Sequence, residues 1–295
     1  MDFLAIKDCI KQCALIVHSA LQSNDTSYLD STNSSGDAQL GVDVACDTII
    51  ERKLLSLDCV GGVCSEEKQE AMYKKDFIPS SQNLGNKTFL LAYDPLDGSS
   101  LFDSNLSVGS IFGIYCGDFS ANNIVAACYV VYGPRLEMVW ADSTHNEVEH
   151  FLYDFANKKW HTKPHIKLKQ KGKLNAPGGT QKYWSAKHKS LIDSLFAQGY
   201  RLRYSGGMVP DLHQILIKGG GLFSYPATQD APKGKLRKLF EVFPFAFIYE
   251  KAGGSATDGQ FRLLELECEN LHDTTQCFLG STEEIAIAKQ IYATT

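Results

Sequence analysis

Hydrophobic and polar positions follow more than one period along this chain. Over residues 1–22 an apolar stripe recurs at helical spacing, which predicts a helix. The stripe consists of Leu4, Ile10, Leu15, Ile16, Ala20 and Leu21. Residues 23–36 are polar and rich in Ser, Asn and Asp, which indicates a loop. Residues 37–55 return to a helical pattern and predict a second helix.

Strand-like runs dominate the middle of the chain. Residues 88–93 form a short apolar run, typical of a buried strand, that ends at a predicted turn over residues 94–98. Four more such runs cover residues 107–115, 124–132, 135–141 and 146–152. Together they predict an antiparallel or mixed sheet flanked by helices.

A lysine-rich segment over residues 157–174 separates this sheet from the second half of the chain. Its lysines are Lys158, Lys159, Lys163, Lys167, Lys169, Lys171 and Lys173. Their near-alternation would place one basic face on an extended strand or linker. We interpret the segment as a solvated interdomain edge; a surface for an anionic partner or nucleic acid is the alternative.

Helical and strand patterns alternate regularly after the lysine-rich segment. We predict helices over 182–198, 208–217 and 235–252, and strands over 201–204 and 221–225. The last helix would end at Gly253-Gly254, a usual helix stop. The change in pattern predicts two domains, residues 1–163 and 164–295.

Composition narrows the class of protein. The chain has 29 Lys plus Arg against 34 Asp plus Glu, a net charge of −5, which disfavours a dedicated nucleic-acid binder. The longest apolar run covers residues 242–249, far short of a bilayer span. No signal peptide is visible, and the nine scattered cysteines suit reduced thiols. We therefore expect a cytoplasmic protein with neither a membrane nor a nucleic-acid partner.

The clearest candidate chemistry is the run Asp94-Pro95-Leu96-Asp97-Gly98-Ser99-Ser100, directly after a predicted buried strand. Two carboxylates three residues apart at a turn can face the same small volume, and Mg²⁺ prefers such oxygen ligands. Gly98, Ser99 and Ser100 would offer N–H and hydroxyl groups to a phosphate beside the metal. A surface turn capped by its aspartates is the alternative interpretation.

Other acidic residues strengthen the metal interpretation when they are taken together. They are Asp37, Asp43, Glu66, Glu67 and Glu241. Asp37 and Asp43 are otherwise ordinary helix-capping residues, and Glu66 and Glu67 ordinary surface charges. Glu241 lies within an apolar run, where a lone carboxylate is costly unless it is paired or bound to metal. The set indicates a phosphoester hydrolase that uses several metal ions.

Two basic clusters suit a second phosphate on the same substrate. Residues 232–237 contain Lys235 and Arg237, and residues 201–204 contain Arg203 and Tyr204. Arginine can bind a phosphate through two N–H groups, and lysine acts as a point charge. Exposed basic residues beside a helix start are the other interpretation.

The chain lacks a Gly-x-Ser-x-Gly elbow, a Walker loop and a dinucleotide-binding glycine motif.

These motifs, in this order, resemble the fructose-1,6-bisphosphatase and sedoheptulose-1,7-bisphosphatase family, within the wider inositol-monophosphatase-like metal phosphatases. The similarity extends from about Asp37 to Gly254. Its segments are Gly36-Asp37 with Asp43, Ser65-Glu66-Glu67, Asp94 to Ser100, Val108 to Gly113, Arg203 to Val209 and Lys233 to Glu241.

The resemblance implies an α/β (α+β) fold, a layered αβαβα sandwich of mixed sheets flanked by helices. Its N-terminal half would be the catalytic, metal-binding domain and its C-terminal half the sugar-phosphate domain. It implies two or three Mg²⁺, with Mn²⁺ as a substitute, held by Glu66, Glu67, Asp94, the Leu96 carbonyl, Asp97 and Glu241. Asp37 and Asp43 would orient or deprotonate the attacking water, and Glu67 completes the expected catalytic set.

The resemblance also assigns the substrate contacts. Asp97, Gly98, Ser99 and Ser100 would surround the departing 1-phosphate, with Arg237 nearby. Tyr204, Tyr225, Lys235 and Arg203, the last reaching from a neighbouring subunit, would hold the far phosphate. Gly206, Gly207 and Met208 would line the sugar. The expected assembly is a homo-oligomer, dimer or tetramer, and Asn175 is a candidate for a further phosphate contact.

Within the family, three segments look more like the sedoheptulose branch: residues 33–37, 206–211 and 240–242. We therefore expect hydrolysis of the 1-phosphate of sedoheptulose 1,7-bisphosphate to sedoheptulose 7-phosphate and phosphate. The alternatives are a fructose-1,6-bisphosphatase or a dual-specificity enzyme, then an inositol-phosphate or phosphonucleotide phosphatase, then a non-catalytic sugar-phosphate-binding regulator.

Only 36 residues precede Asp37, and residues 26–35 hold no cysteine. We therefore expect neither an AMP site nor thioredoxin control through a cysteine pair there.

Overall fold

The computed structural model describes residues 2–22, 28–32, 38–75, 77, 79 and 88–293. Among these residues there are six α-helices: α1 Leu4–Leu21, α2 Gly41–Leu55, α3 Ala186–Ala197, α4 Met208–Lys218, α5 Phe243–Lys251 and α6 Thr282–Ala293. A π-helical turn, Lys238–Val242, directly precedes α5. Asp37 lies outside the described residues, so its predicted role stays a prediction.

The strands form two main sheets, and those of the first half of the chain come from residues 28–166. They are β1 Tyr28–Thr32, β2 Ala38–Leu40, β3 Val60–Ser65, β4 Met72–Tyr73, β5 Phe89–Asp97, β6 Val108–Cys116, β7 Ile124–Tyr132, β8 Leu136–Asp142, β9 Val148–Asp154 and β10 Lys159–Ile166. Strands β3 to β10 build an eight-stranded sheet in the order β10-β9-β8-β7-β6-β5-β3-β4. Within it β3 and β5 run parallel, and the other neighbours are antiparallel.

The strands of the second half form a smaller sheet. They are β11 Leu174–Pro177, β12 Arg201–Leu202, β13 Gly221–Tyr225, β14 Leu236–Arg237, β15 Ser255–Thr257, β16 Thr274–Thr275 and β17 Cys277–Gly280. Five of them pair in the order β12-β11-β13-β17-β15, with β11 parallel to both β12 and β13. Strands β14 and β16 pair separately. Both sheets are mixed or largely antiparallel, as predicted.

Helices and sheets alternate in five layers. Helices α1 and α2 pack together on the outer face of the eight-stranded sheet. Helices α4 and α5 contact both sheets and so lie between them, while α3 and α6 cover the far face of the five-stranded sheet. Because the middle layer is apolar on both sides, α5 is buried from Phe243 to Tyr249. The αβαβα sandwich expected from the resemblance is confirmed.

The structure corrects two of the predicted helices. The predicted helix over residues 235–252 is a helix only from Phe243; before it, Leu236 and Arg237 pair with Thr275 and Thr274 as strands. The π-helical turn then follows, with the Arg237 N–H donating to the carboxylate of Glu241 at 2.6 Å. The predicted helix over residues 37–55 begins at Gly41, because residues 38–40 form strand β2.

The lysine-rich segment forms β10, the edge strand of the larger sheet, followed by a stretch without regular structure before β11. The predicted domain boundary at residue 163 falls inside β10, and the division stays a proposal. All nine cysteines lie in the described residues and carry free thiols. Within the described part of the chain, no helix has the length and apolar character needed to cross a membrane.

Candidate active site

Two carboxylates meet because β3 and β5 are parallel neighbours. Ser65, the last residue of β3, pairs with Tyr93 of β5, and the Glu66 N–H donates to the Tyr93 carbonyl at 3.0 Å. The next residues along the two strands, Glu66 and Asp94, therefore emerge at the same edge of the sheet. This edge is the place where parallel strands commonly present ligand-binding groups.

Asp94 and two further carboxylates form a tight group there. Oxygen atoms of Asp94, Asp97 and Glu241 all lie within 4.8 Å of one another, and the three side chains are buried. Asp94 and Asp97 come from the end of β5, where the register shifts between them. Glu241 comes from the π-helical turn, which turns its carboxylate inward. Three buried carboxylates this close suit a divalent cation with oxygen ligands.

The raised pKa values of these carboxylates show that burial and mutual repulsion disfavour their ionised forms. Burial raises the pKa of Asp97 to about 7, although backbone N–H donors from Val209 and Met208 oppose this. Burial and the nearby Glu66 raise the pKa of Glu241 to about 8. Burial and the neighbouring carboxylates raise the pKa of Asp94 well above its usual range. A bound cation would remove this repulsion, so the donor set fits a metal.

The guanidinium of Arg237 lies beside the group of carboxylates. Its guanidinium donates to Glu66 and lies 3.9 Å from the Glu241 carboxylate, with both Arg237 and Glu66 buried. Glu66 therefore faces a guanidinium as well as the carboxylates. The three-residue group does not include Glu66 or Glu67, and their predicted metal roles stay predictions.

A glycine turn follows the carboxylates. Gly98 has a φ of +76°, a left-handed conformation that favours glycine, and Ser99–Leu101 then form one 3₁₀ turn. A Cβ at residue 98 would lie 3.2 Å from the Gly207 Cα atom, so two backbones approach closely here. Ser99 and Ser100 line the same cavity as Asp97, so their N–H and hydroxyl groups are candidates for a phosphate cradle.

The loop before α4 is fixed by two aspartates. Asp211, buried on α4, accepts hydrogen bonds from the backbone N–H groups of Ser205 (2.8 Å) and Gly206 (3.4 Å). Asp97 accepts from the N–H groups of Met208 (3.1 Å) and Val209 (2.6 Å) at the start of α4. The loop and the carboxylate group are thus one connected unit.

The carboxylate group, Arg237 and the turn at Gly98 line one cavity of about 370 Å³. Of the residues predicted for the site, it brings together Asp43, Glu66, Glu67, Asp94, Leu96, Asp97, Gly98, Ser99, Ser100, Tyr204, Gly206, Gly207, Met208, Tyr225, Lys235, Arg237 and Glu241. Burial raises the pKa of Tyr204 and raises that of Tyr225 to about 12, so both phenols stay protonated near neutral pH. The cavity therefore combines a group of carboxylates with two phenols and a lysine.

Two residues predicted for the site lie outside this cavity, and two residues that line the cavity were not predicted. Arg203 is exposed and lines a different cleft. Asn175 is fully buried on β11 and does not line the cavity. Phe223 and Leu236 do line it, but Phe223 lies in the predicted strand over 221–225 and Leu236 is an apolar residue between Lys235 and Arg237, so no sequence signal marks either as a site residue.

Comparison with known protein families assigns both halves of the chain. The family described as the fructose-1,6-bisphosphatase N-terminal domain matches residues 1–164. The family described as the fructose-1,6-bisphosphatase C-terminal domain matches residues 168–293.

Known proteins are similar to this chain along almost its whole length. The chain is 58% identical over 287 residues to the "Fructose-1,6-bisphosphatase class 1" of Helicobacter hepaticus, covering 97% of this chain and 98% of that protein. It is 48% identical over 291 residues to the protein of the same name in Campylobacter concisus, covering 98% and 96%.

Solved structures share the fold. The structure of Leishmania major fructose-1,6-bisphosphatase in holo form superposes with a TM-score of 0.89 at 28% identity, covering 98% of this chain and 94% of that one. The structure of a putative sedoheptulose-1,7-bisphosphatase from Toxoplasma gondii superposes with a TM-score of 0.86 at 31% identity, covering 98% and 93%.

The fold and these matches define a sugar bisphosphatase, an enzyme that hydrolyses a phosphate ester of a sugar bisphosphate. The chain belongs to the fructose-1,6-bisphosphatase family. Enzymes of this family use divalent metal ions.

Proposed function

We propose that this enzyme hydrolyses the 1-phosphate of fructose 1,6-bisphosphate, giving fructose 6-phosphate and phosphate, with Mg²⁺ as its metal. The names of its relatives at 58% and 48% identity support fructose over sedoheptulose bisphosphate. The sedoheptulose preference expected from three short segments has weaker support, from the structure of a putative sedoheptulose-1,7-bisphosphatase at 31% identity. A dual specificity remains the second candidate, because both sugars would use the same two phosphate sites.

The set of residues gathered in one cavity carries this proposal. Asp94, Asp97 and Glu241 converge on one another, and Tyr204, Tyr225 and Lys235 line the same cavity. A substrate with a phosphate at each end meets both requirements, whereas a monophosphate would leave the second set of donors without a partner. The volume of about 370 Å³ lies in the range of small-molecule sites, about 300–1,000 Å³.

We assign two or three Mg²⁺ to the clustered Asp94, Asp97 and Glu241, together with Glu66, Glu67 and the Leu96 carbonyl. When bound, the metal ions would neutralise charge on the transferring phosphoryl group and promote ionisation of the attacking water. Asp43, buried in the first turn of α2, would orient that water, as would Asp37. N–H and hydroxyl groups of Gly98, Ser99 and Ser100 would hold the departing phosphate, assisted by Arg237.

The neutral phenols of Tyr204 and Tyr225, which line the same cavity, would donate hydrogen bonds to the 6-phosphate, and Lys235 would supply a positive charge. Backbone groups of Gly206, Gly207 and Met208 would face the sugar. Arg203 would act from a neighbouring subunit, which makes a homo-oligomer part of the proposal.

Phosphate release tests the proposal directly. The enzyme, freed of metal with EDTA, is titrated with Mg²⁺ or Mn²⁺ and supplied with fructose 1,6-bisphosphate or sedoheptulose 1,7-bisphosphate. We expect metal-dependent release with the higher kcat/KM for fructose 1,6-bisphosphate. Comparable values would establish dual specificity, and a higher value for the seven-carbon sugar would restore the sedoheptulose assignment. No turnover at any metal concentration would contradict an active phosphatase and support a binding-only role.

A further inference from the structure

Lys68 lies just beyond the end of β3 and pairs with two carboxylates of α2. Its Nζ atom is 3.1 Å from a carboxylate oxygen of Asp47, and it also donates to Glu51. Asp47 is buried, whereas the Lys68 side chain is 36% exposed. A buried carboxylate needs a partner that compensates its lost hydration, and the lysine supplies one. The pair therefore fastens α2 to the chain that follows β3.

The Asp47 carboxylate is also bound by β5. The hydroxyl of Tyr93, a fully buried residue of this strand, donates to it at 2.8 Å. Burial and the nearby charge of Asp47 raise the pKa of the phenol well above its usual value, so it is a donor near neutral pH. Tyr93 also pairs with Ser65, the last residue of β3. One carboxylate of α2 is thus held by a lysine after β3 and by a tyrosine in β5.

Each of these three residues, Lys68, Asp47 and Tyr93, is a close neighbour of a residue that lines the active-site cavity. The neighbours are Glu67, Asp43 and Asp94. Lys68 and Tyr93 are adjacent to their neighbours in the chain, and Asp47 lies one helical turn after its neighbour, on the same face of α2. The three residues do not line the cavity themselves. They therefore act on the segments that carry the cavity residues, and not on the substrate.

The backbone of Lys68 extends the connection to the second half of the chain. Its carbonyl accepts a hydrogen bond from Nε2 of His272 at 2.9 Å. Because a carbonyl oxygen can only accept, this ring carries a proton on Nε2. The ring also lies against Phe240, with 5.2 Å between the ring centroids, and Phe240 immediately precedes Glu241. Lys68 is therefore connected to the π-helical turn that carries Glu241.

We propose that Lys68 is a positioning residue for the metal-binding groups of the active site. It joins α2, the chain after β3 and the π-helical turn, and so fixes the separation of carboxylates that must bind the same metal ions. The inference rests on the proposed function, because it takes these carboxylates to be ligands of Mg²⁺. Groups that orient metal ligands commonly change metal affinity or activity by about 10–100-fold when they are lost.

Direct binding of Mn²⁺ tests the proposal without relying on turnover. The full-length enzyme is freed of metal and titrated with Mn²⁺, and the loss of the free-ion EPR signal reports binding. In Lys68→Met we expect the dissociation constant to rise by about tenfold or more. Lys68→Arg keeps a positive charge and should bind Mn²⁺ much as wild type does. The control Lys189→Met removes an exposed lysine of α3 and should match wild type.

A double variant separates positioning from folding. Lys68→Met leaves Asp47 buried without its lysine, which lowers stability. Lys68→Met/Asp47→Asn removes both charges, and the Asn oxygen still accepts the Tyr93 hydroxyl. We expect the double variant to regain the wild-type melting temperature in EDTA and to keep the weakened Mn²⁺ binding. Its KM for fructose 1,6-bisphosphate at saturating Mg²⁺ should equal that of wild type, because Lys68 does not line the cavity.

The outcomes distinguish this inference from the proposed function. Wild-type Mn²⁺ affinity in the double variant would overturn the positioning role and leave the proposed function intact. Binding as weak in Lys68→Arg or Lys189→Met as in Lys68→Met would also overturn it, because the effect would then not depend on the charge at this position. Absence of Mn²⁺ binding to wild type would contradict the metal assignment of the proposed function, and this inference with it.

Discussion

The carboxylate of Asp97 accepts the backbone N–H of Val209 at 2.6 Å, although the two residues are 112 positions apart. The adjacent Met208 N–H donates to the same carboxylate at 3.1 Å. Because the first N–H groups of a helix have no partner within it, an aspartate at this position both caps α4 and interacts favourably with the helix dipole. The carboxylate group is therefore linked directly to the first turn of α4, where Met208 lines the cavity.

Replacing Asp94 by Asn should weaken Mg²⁺ binding without destabilising the metal-free protein. The change removes one of three clustered charges, while the Asn oxygen can still accept the Leu96 N–H, which Asp94 accepts at 2.9 Å. We expect the metal-free variant to be at least as stable as wild type. Mg²⁺ at a hundred times its dissociation constant should stabilise wild type by about 2.7 kcal/mol, and the variant hardly at all. Melting temperatures in EDTA and in Mg²⁺ measure both effects.

The matched control for this experiment is Asp8→Asn, which removes an exposed charge on α1. It should keep the full Mg²⁺ response and full activity, whereas Asp94→Asn should lose more than about a hundredfold in kcat/KM, because weaker effects, about 10–100-fold, already follow loss of outer-shell groups. A normal Mg²⁺ response in Asp94→Asn would exclude Asp94 as a metal ligand.

Gly109 on β6 holds the start of α4 against the sheet, and Gly109→Ala should disturb both. A Cβ there would lie 2.3 Å from Val209 Cγ1 and 2.6 Å from the Val130 carbonyl oxygen, which is backbone and cannot turn aside. We expect a loss of about 1–3 kcal/mol in the free energy of unfolding. Because Val209 donates to Asp97, kcat should also fall, on the order of a hundredfold for a 1 Å displacement. Urea unfolding and steady-state kinetics measure the two effects.

Gly199→Ala is the control for this glycine substitution. No atom lies within 4 Å of a Cβ at that position, although its φ of +86° strains any other residue. It should lose some stability and keep wild-type kcat. Full activity in Gly109→Ala would show that α4 tolerates the displacement and that the link from Val209 to Asp97 does not matter for turnover.

Tyr225→Phe tests the proposed 6-phosphate contact. Burial raises the pKa of this phenol to about 12, so it is a hydrogen-bond donor at neutral pH. A hydrogen bond to a charged group contributes about 1.5–3 kcal/mol, which corresponds to roughly 10–150-fold in KM at 1.4 kcal/mol per factor of ten. We expect KM for fructose 1,6-bisphosphate to rise accordingly with a smaller change in kcat. Tyr153→Phe, on β9 outside the cavity, should leave KM unchanged.

The sequence pattern predicts most of the regular elements. The four runs after residue 100 correspond to β6–β9 with ends within two residues, because long apolar stretches in buried strands leave little ambiguity. Strand β5, in contrast, continues to Asp97 beyond its predicted end at residue 93. A turn was expected at Pro95, but Asp94 and Asp97 still pair with β6 across a shift in register. The π-helical turn at Lys238 has a helical residue pattern and could not be distinguished from an α-helix.

The candidate site was predictable where side chains carry the chemistry and not where the backbone does. The acidic residues and the basic cluster around Lys235 are visible as residue types in a fixed order. The N–H donors of Met208 and Val209 are not, because any residue but proline supplies an N–H. The ion pair between Glu66 and Arg237, 171 positions apart, depends on where the fold places two strand ends.

His188 makes the stability of the second half of the molecule sensitive to pH. Its ring is fully buried between Trp184 and Phe278, and burial lowers its pKa from 6.5 to about 3. As the pH falls below 6.5, His188 becomes protonated in the unfolded chain, whereas in the folded protein it stays neutral down to about pH 3. Stability that is present above pH 6.5 is therefore lost at about 1.4 kcal/mol per pH unit over this window. At pH 5 this residue should account for a loss of about 2 kcal/mol relative to pH 7.5.

His188→Phe should remove this part of the pH dependence while keeping an aromatic ring in the same packing. The variant loses the hydrogen bond to the Tyr292 hydroxyl (3.1 Å), a cost of about 1 kcal/mol that does not vary with pH in this range. The diagnostic quantity is thus the change in unfolding free energy between pH 7.5 and pH 5, measured by urea titration at each pH. We expect that change to be about 2 kcal/mol smaller in His188→Phe than in wild type, and unaltered in a variant of an exposed histidine, His165→Ala. Equal pH dependence in all three proteins would mean that the folded state admits a proton at His188.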